Sequence, residues 1–301
     1  MFTFYLHIPK TAGQTLHRWL NLVYGPEHTL VWDPRKRFGL PRIQRELDIQ
    51  RELATLLEER PGVQAVAGHF PYGVHKVLGD RPHRYVTFLR DPVDRWISER
   101  VHHLTKNVDF HLLKRSFAEL YGDIDLFSLL KSTITNDEDI NCQSRLVRRG
   151  HSIGSNGLTR GCDLSDDEAL ARFWFVGRQE SLSADCNRLA QLLGCEPIPL
   201  PESQNVAGIG DIRSALAPEE IRWIEGRNTS DFGLCSKVPI SACCATPAPA
   251  VDRGALVAAI LQAALARTSE CFLALKADRE KAQLIMDHHA ALIDQLRLYL
   301  A

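Results

Sequence analysis

The 301-residue chain has almost no net charge: 36 Lys plus Arg stand against 37 Asp plus Glu, a formal charge of -1. No global field draws it to nucleic acid or to a membrane surface, and any anion site must be local. Its eight cysteines contain no Cys-x-x-Cys pair and are too sparse for a secreted disulfide scaffold. Reduced thiols in a cytosol are the expectation, and the adjacent Cys243 and Cys244, in an Ala/Pro-rich stretch, are read as incidental rather than as a redox switch. The start, MFTFYLHIPK, lacks a basic n-region and a long apolar h-region, so it does not read as a secretory signal. The longest apolar run, near Ala255 to Ala266, is interrupted by Gln262 and is too short to cross a bilayer. A Walker A pattern, Gly-x-x-x-x-Gly-Lys-Ser/Thr, is missing, and so is any repeat of solenoid length.

Apolar material is plentiful. At 45% hydrophobic and 24% charged, the chain can build a sizeable core in one or two domains. Phe2 to Ile8, aromatic and β-branched, reads as a buried strand that runs through Pro9-Lys10-Thr11-Ala12-Gly13 into a helical pattern at Leu16, Trp19, Leu20 and Val23. An amphipathic helix with apolar Ile43, Leu47, Leu53, Leu56 and Leu57 covers Arg42 to Arg60 and stops at Pro61-Gly62. Val63 to Ala67, Arg84 to Leu89 and Phe173 to Val176 are three further strands, the last followed by a helix from Ser183 to Leu193. Asp91-Pro92 offers an Asp N-cap with proline at the first helical position. Strands alternating with helices predict an α/β fold: a P-loop-like three-layer parallel sheet flanked by helices, with a C-terminal helical extension. The expected domain division is 1–237 for the main domain and 238–253 for a linker carrying Pro239, Pro247 and Pro249. A proline-free, Ala- and Leu-rich helical segment, 254–301, completes it.

Two constellations carry chemistry. Lys10 and Thr11 sit where a strand ends and a helix begins, where backbone N–H groups point outward and attract anions. A cation there is unfavourable by about 0.3–1 kcal/mol against the helix dipole unless an anion lies between them. Thr11, Gly13, Gln14 and Thr15 add hydroxyls and a small residue that suit close approach of phosphate or sulfate oxygens, although a solvated lysine is the plain alternative. In the second, Arg90 closes a strand at the carboxyl edge, where open α/β sheets bind ligands. Asp91, Arg95 and Ser98 follow at i, i+4 and i+7 on one helix face. Arg90 can clamp a phosphate with its fork while Ser98 donates to another oxygen; a surface Asp91–Arg95 pair is the bland counterpart.

Together these motifs resemble those of the carbohydrate sulfotransferases. His7-Ile8-Pro9-Lys10-Thr11-Ala12-Gly13-Gln14-Thr15-Leu16 is similar to their 5'-phosphosulfate loop, and Leu89-Arg90-Asp91-Pro92 through Ser98 to their 3'-phosphate motif. The likeness is to heparan sulfate 2-O- and 6-O-sulfotransferases, with echoes in Asn141-Cys142-Gln143-Ser144-Arg145, in Phe175-Val176-Gly177, at Asn205, and in Leu216 to Leu234 including Asp231. The resemblance implies 3'-phosphoadenosine 5'-phosphosulfate (PAPS) as donor and its desulfated form (PAP) as product. It assigns Lys10, Thr11, Gly13, Gln14 and Thr15 to the phosphosulfate, and Arg90 and Ser98 to the 3'-phosphate. Eukaryotic relatives carry an N-terminal membrane anchor, whereas this chain opens on the first strand, so a bacterial-style cytoplasmic enzyme is the expectation.

Sulfuryl transfer needs positioned partners, a neutralised leaving phosphate and a base. Lys10 suits the developing charge. His69, in Gly68-His69-Phe70 after a strand end, is the chosen base, with His75 and His7 in reserve. Arg145, Arg148 and Arg149 lie on a predicted helix and either hold an anionic sugar or form a solvated basic face; Arg35-Lys36-Arg37 has the same two readings. No metal is expected, since His102-His103 and His288-His289 are adjacent pairs that diverge on a helix. The resemblance implies an acceptor that bears a hydroxyl, on a carbohydrate, with no nucleic acid or transmembrane segment involved. Rival functions are a P-loop-type small-molecule kinase, which needs Mg²⁺ ligands, and a non-catalytic assembly protein using the C-terminal helices for homo-oligomerisation. In the second, Leu256, Ile260, Leu261, Leu265, Leu284 and Ile285 begin a packing stripe that also includes Leu292, Ile293 and Leu296, read first as docking on the chain's own core, then as self-association and last as membrane contact.

Overall fold

The computed structural model describes residues 1–33, 46–70, 72–106, 125–131, 140–148, 164–201, 209–241, 252–261 and 263. Its elements run β1 (Phe2–Leu6), α1 (Gly13–Tyr24), β2 (Thr29–Trp32), α2 (Glu46–Glu59), β3 (Ala65–Gly68), β4 (His83–Leu89), α3 (Pro92–Lys106), α4 (Leu126–Lys131), α5 (Cys142–Arg148) and α6 (Asp166–Leu170). They continue through β5 (Phe175–Arg178), α7 (Leu182–Leu193), α8 (Ile209–Ala215), α9 (Pro218–Arg227) and α10 (Thr229–Ser236). Residues 253–261 are helical as well.

The chain divides into two compact units, and the first, residues 1–95, 138–206 and 225–246, contains the whole sheet. Its five strands lie in the order β2-β3-β1-β4-β5, all neighbours parallel. A parallel sheet needs cover on both faces, so its central strand is buried throughout, as β1 is. Period-2 alternation sends Phe2, Phe4 and Leu6 into one apolar cluster and Tyr5 into the other. The first cluster is closed by Ile49 and Leu53 of α2, Val147 of α5 and Leu234 of α10. Leu16, Trp19 and Leu20 of α1 with Cys186 and Leu189 of α7 close the second. Three layers result, and the expected α/β architecture is present.

Strand β2 is the element the sequence pattern misses. Four residues, with Val31 half-exposed at 52%, make a short edge strand that carries no alternation signal. The second unit, residues 96–137, 207–224 and 247–301, contains an aromatic cluster of Trp96, Phe127 and Trp223, and Arg253 bridges Asp125 and Glu220 at 3.6 and 2.8 Å. Of the C-terminal stripe, Ile260 is buried and Leu256 and Leu261 half-buried, while Leu265 and everything beyond it lie outside the described residues. No helix among the described residues is long and apolar enough to cross a membrane.

Gly177 pairs with Phe88 across β5 and β4, and a Cβ there would stand 2.4 Å from the Phe88 ring. Gly177→Ala should therefore overpack the sheet and cost about 1–3 kcal/mol. Urea unfolding checks this; an unchanged midpoint would mean that β5 does not pair as described.

Candidate active site

Because the strands are parallel, the carboxyl ends of β1, β3 and β4 lie side by side along one edge. The chain leaving β1 there is bent sharply. His7 N–H still donates to the Gly68 carbonyl at 2.8 Å, and then Lys10 and Ala12 adopt left-handed backbone at φ 70° and 64°. Neither is glycine, so each costs of order 1–3 kcal/mol that the surroundings must offset. Helix α1 starts from Ala12 with no side-chain cap and no acidic residue in its first turn. The first N–H to find its helical acceptor is that of Leu16, on Ala12, so those of Gly13, Gln14 and Thr15 are left over at the positive end of the helix.

The side chains of this loop divide the work. Gln14 is exposed and Thr15 nearly buried, while Thr11 is fully buried and turns its hydroxyl inward to the Ile8 carbonyl at 2.8 Å. Thr11 therefore shapes the turn, its hydroxyl being taken up by the main chain. Gly13 is required by a neighbour: a Cβ would lie 1.8 Å from the His7 ring. The imidazole occupies the side of Gly13 on which a Cβ would stand.

Arg90, one residue past β4, is only 8% exposed. Its Nη1 donates to the Lys10 carbonyl at 3.1 Å, which ties the two strand ends together. Among the described residues its buried Nε has no partner. Burial lowers the guanidinium pKa, with Asp94, Glu180 and Asp91 acting against that shift and Arg95 with it. A desolvated cation with an unmet donor, next to an uncapped helix start, can accept an oxyanion group.

The main chain at Arg90 is held by side chains. Gln143 of α5 accepts from Arg90 N–H at 2.8 Å and donates to Arg90 C=O at 2.7 Å. Cys235 of α10 adds its thiol to the same carbonyl at 3.3 Å, and Glu180 accepts from Asp91 N–H. Arg178 secures Glu180 at 3.0 Å and the Cys235 carbonyl at 2.7 Å. Asp91 caps α3 as its position predicts, accepting from Val93 and Asp94 N–H at 2.9 and 3.1 Å. Asp231 in turn caps α5 through Gln143 N–H and Ser144 N–H at 3.1 and 2.7 Å, and Asn141 caps α10 through Ser230 N–H and Asp231 N–H at 2.9 and 3.2 Å. Gln143, Glu180 and Arg178 hold the main chain around Arg90, and motif reading did not assign them. Their only signal lay in the echoes around Asn141, Gly177 and Asp231.

His69 follows β3 onto the same edge. Its Nδ1 lies 2.8 Å from the His7 carbonyl, an acceptor only, so Nδ1 carries the proton and the neutral ring has its basic lone pair on Nε2. The ring also stacks on His7, centroids 4.1 Å apart. His75 does not join it: its Nδ1 pairs with the Tyr85 hydroxyl at 3.1 Å and its ring stacks on His83, at the amino end of β4 and so the opposite edge of the sheet. His7, the other reserve, is committed to packing over Gly13.

Ser98 is buried on α3, in the part of that helix belonging to the second unit. Arg95 is fully buried and so is not a surface group. Arg148 is taken up by Asp166, with Nη2 at 2.7 Å and Nε at 2.9 Å, whereas Arg145 is half-buried on the same helix. Arg149, Arg35-Lys36-Arg37, Asn205, Cys243-Cys244 and His288-His289 lie outside the described residues. No group of three or more His, Cys, Asp or Glu among the described residues is arranged to hold a metal.

A parallel α/β sheet carries an uncapped helix start and a buried arginine at its carboxyl edge, the edge at which open α/β sheets bind ligands. The model of the sulfotransferase family matches residues 3–210, and the chain belongs to that family. No curated protein matches it. Asp231 and Cys235 lie beyond the matched span.

Burial pushes the Cys235 thiol up to about 12, Arg178 opposing the shift and Asp231, Glu180 and Asp91 adding to it. Burial next to Asp185 does the same for Cys186, again to about 12. Iodoacetamide at about pH 8 should thus leave both unmodified in the folded protein while labelling half-buried Cys195, as read by mass spectrometry. Above the ordinary thiol value of 9.0 the unfolded chain releases protons that the folded one retains, so stability should fall as pH rises from there toward about 12.

Proposed function

We propose that the protein transfers a sulfuryl group from PAPS to the hydroxyl of an acceptor, a carbohydrate being the class the motifs favour. The observation that carries this reading is Arg90, a buried cation with an unpartnered Nε, bonded to the carbonyl of Lys10 in the cradle loop. Family membership supports sulfuryl transfer, and the residues present suit a donor with anionic groups at both ends.

In this reading the N–H groups of Gly13, Gln14 and Thr15, with Lys10 and the turn that Thr11 shapes, hold the phosphosulfate end. Arg90 holds the 3'-phosphate. When bound, PAPS supplies an activated sulfuryl group on a phosphate leaving group. Lys10 neutralises the charge that develops on that phosphate. His69 takes the acceptor proton on Nε2, its ring kept in the right tautomer by the His7 carbonyl. Arg145 is a candidate for the acceptor's anionic groups, and Arg148 is left out because Asp166 engages it. Residues 1–237 carry this chemistry, PAP is the product, no metal takes part, and the cytoplasm, where the donor is made, is the place of reaction.

Calorimetry with PAP tests the donor assignment: Arg90→Ala should weaken binding about 10- to 100-fold, the scale of lost charge-assisted hydrogen bonds. His69→Ala should bind PAP normally and lose about 100-fold in turnover. Transfer from labelled PAPS in the absence of magnesium, with none from ATP, separates the reading from a kinase. No binding of PAP by the unaltered protein would overturn it.

A further inference from the structure

We propose that Gln143 is the positioning residue of this site, setting the direction in which Arg90 leaves the backbone. The proposal deepens the reading of Arg90 as the phosphate ligand and rests on it. Strand β4 ends at Leu89 and the first helical bond of α3 is Arg95 N–H to Asp91 C=O, so the peptide groups of Arg90 fall between sheet and helix. Gln143, fully buried, supplies both missing partners with one amide. An amide is suited to this because it donates and accepts at a fixed separation, whereas a carboxylate only accepts and a thioether does neither well.

The guanidinium itself has only the bond to the Lys10 carbonyl among the described residues. Its aim therefore depends on how the backbone at Cα is held. Gln143 is fixed from beyond the family match. Its own N–H is bonded to Asp231, whose N–H is bonded to Asn141, the residue that opens α5 at φ 49°. Asn141 N–H completes the exchange on Asn228 at 3.2 Å. Helices α5 and α10 thus cap each other, and Gln143 carries that lock to Arg90.

The test compares Gln143→Met, which keeps length and loses both bonds, with Gln143→Glu in the full chain. A protonated Glu reproduces the donor–acceptor pair of the amide; an ionised one sets a negative oxygen against the Arg90 carbonyl. Position 143 is bonded to Asp231, to the Arg90 main chain and to Cys235, on which Arg178, Glu180 and Asp91 also act, so each measurement is referred to the unaltered protein at the same pH. Ser165→Ala, which removes the N-cap of α6 in its capping box, controls for lost stability away from the site.

Calorimetry should show PAP binding weakened about 10-fold in Gln143→Met and unchanged in Ser165→Ala. Gln143→Glu should stay within about 3-fold of the unaltered protein at about pH 5 and weaken toward Gln143→Met as pH rises to about 9, since burial and the nearby Asp231 raise the pH at which its carboxyl ionises. If Gln143→Met does not fold, the pH-dependent recovery in Gln143→Glu decides alone. Normal PAP binding by both variants at both pH values overturns the proposal and leaves the donor reading standing, as does loss without recovery at low pH. Failure of the unaltered protein to bind PAP overturns both.

Discussion

Between the last ladder bond of β4 and the first helical bond of α3, the main chain presents polar groups that neither element can satisfy. The amide of Gln143 takes the N–H and C=O of Arg90, and Glu180 takes the N–H of Asp91. A buried backbone group left unmet costs about 1–3 kcal/mol, so the strand can end at this point only because these side chains are present. The same bonds fix where the Arg90 side chain starts. Burial lowers the pKa of this guanidinium, and Asp94, Glu180 and Asp91 act against that shift. Stability and the proposed anion recognition therefore draw on one set of contacts.

The loop after β1 is tied to the candidate base by a similar economy of parts. Without a Cβ, Gly13 admits the His7 ring over the start of α1. The His7 ring supports His69 from below, and the His7 carbonyl fixes its tautomer. Lys10, held at positive φ, offers its carbonyl to Arg90. Three strand ends are thus connected by short contacts, and a shift in one displaces the others. Sites whose supporting contacts are this direct hold their geometry before a ligand arrives.

Several features were legible in the sequence because they are local. The alternation of Phe2, Phe4 and Leu6 marks a buried strand, Asp91-Pro92 marks a helix start, and Arg90 is placed at a strand end by its position in Tyr85-Val86-Thr87-Phe88-Leu89-Arg90. Strand β2 was not legible: four residues on a sheet edge, one of them exposed, carry too little pattern. His75 and His69 look alike as histidines beside β3, and only the sheet shows that they sit on opposite edges. Arg148 reads as a free cation until Asp166 is found against it, 18 residues away.

What the sequence by itself determined is the α/β class, the uncapped cradle after the first strand and an arginine at the end of another, since periodicity, caps and turn residues act over a few positions. The tertiary structure alone decided the strand order, the burial that makes Arg90 a desolvated cation, the tautomer of His69 and the grip of Gln143. Each of these depends on partners far apart in the chain. Arg90 and Gln143 are separated by 53 residues and Gln143 and Asp231 by 88, and no local pattern encodes a distance of that kind.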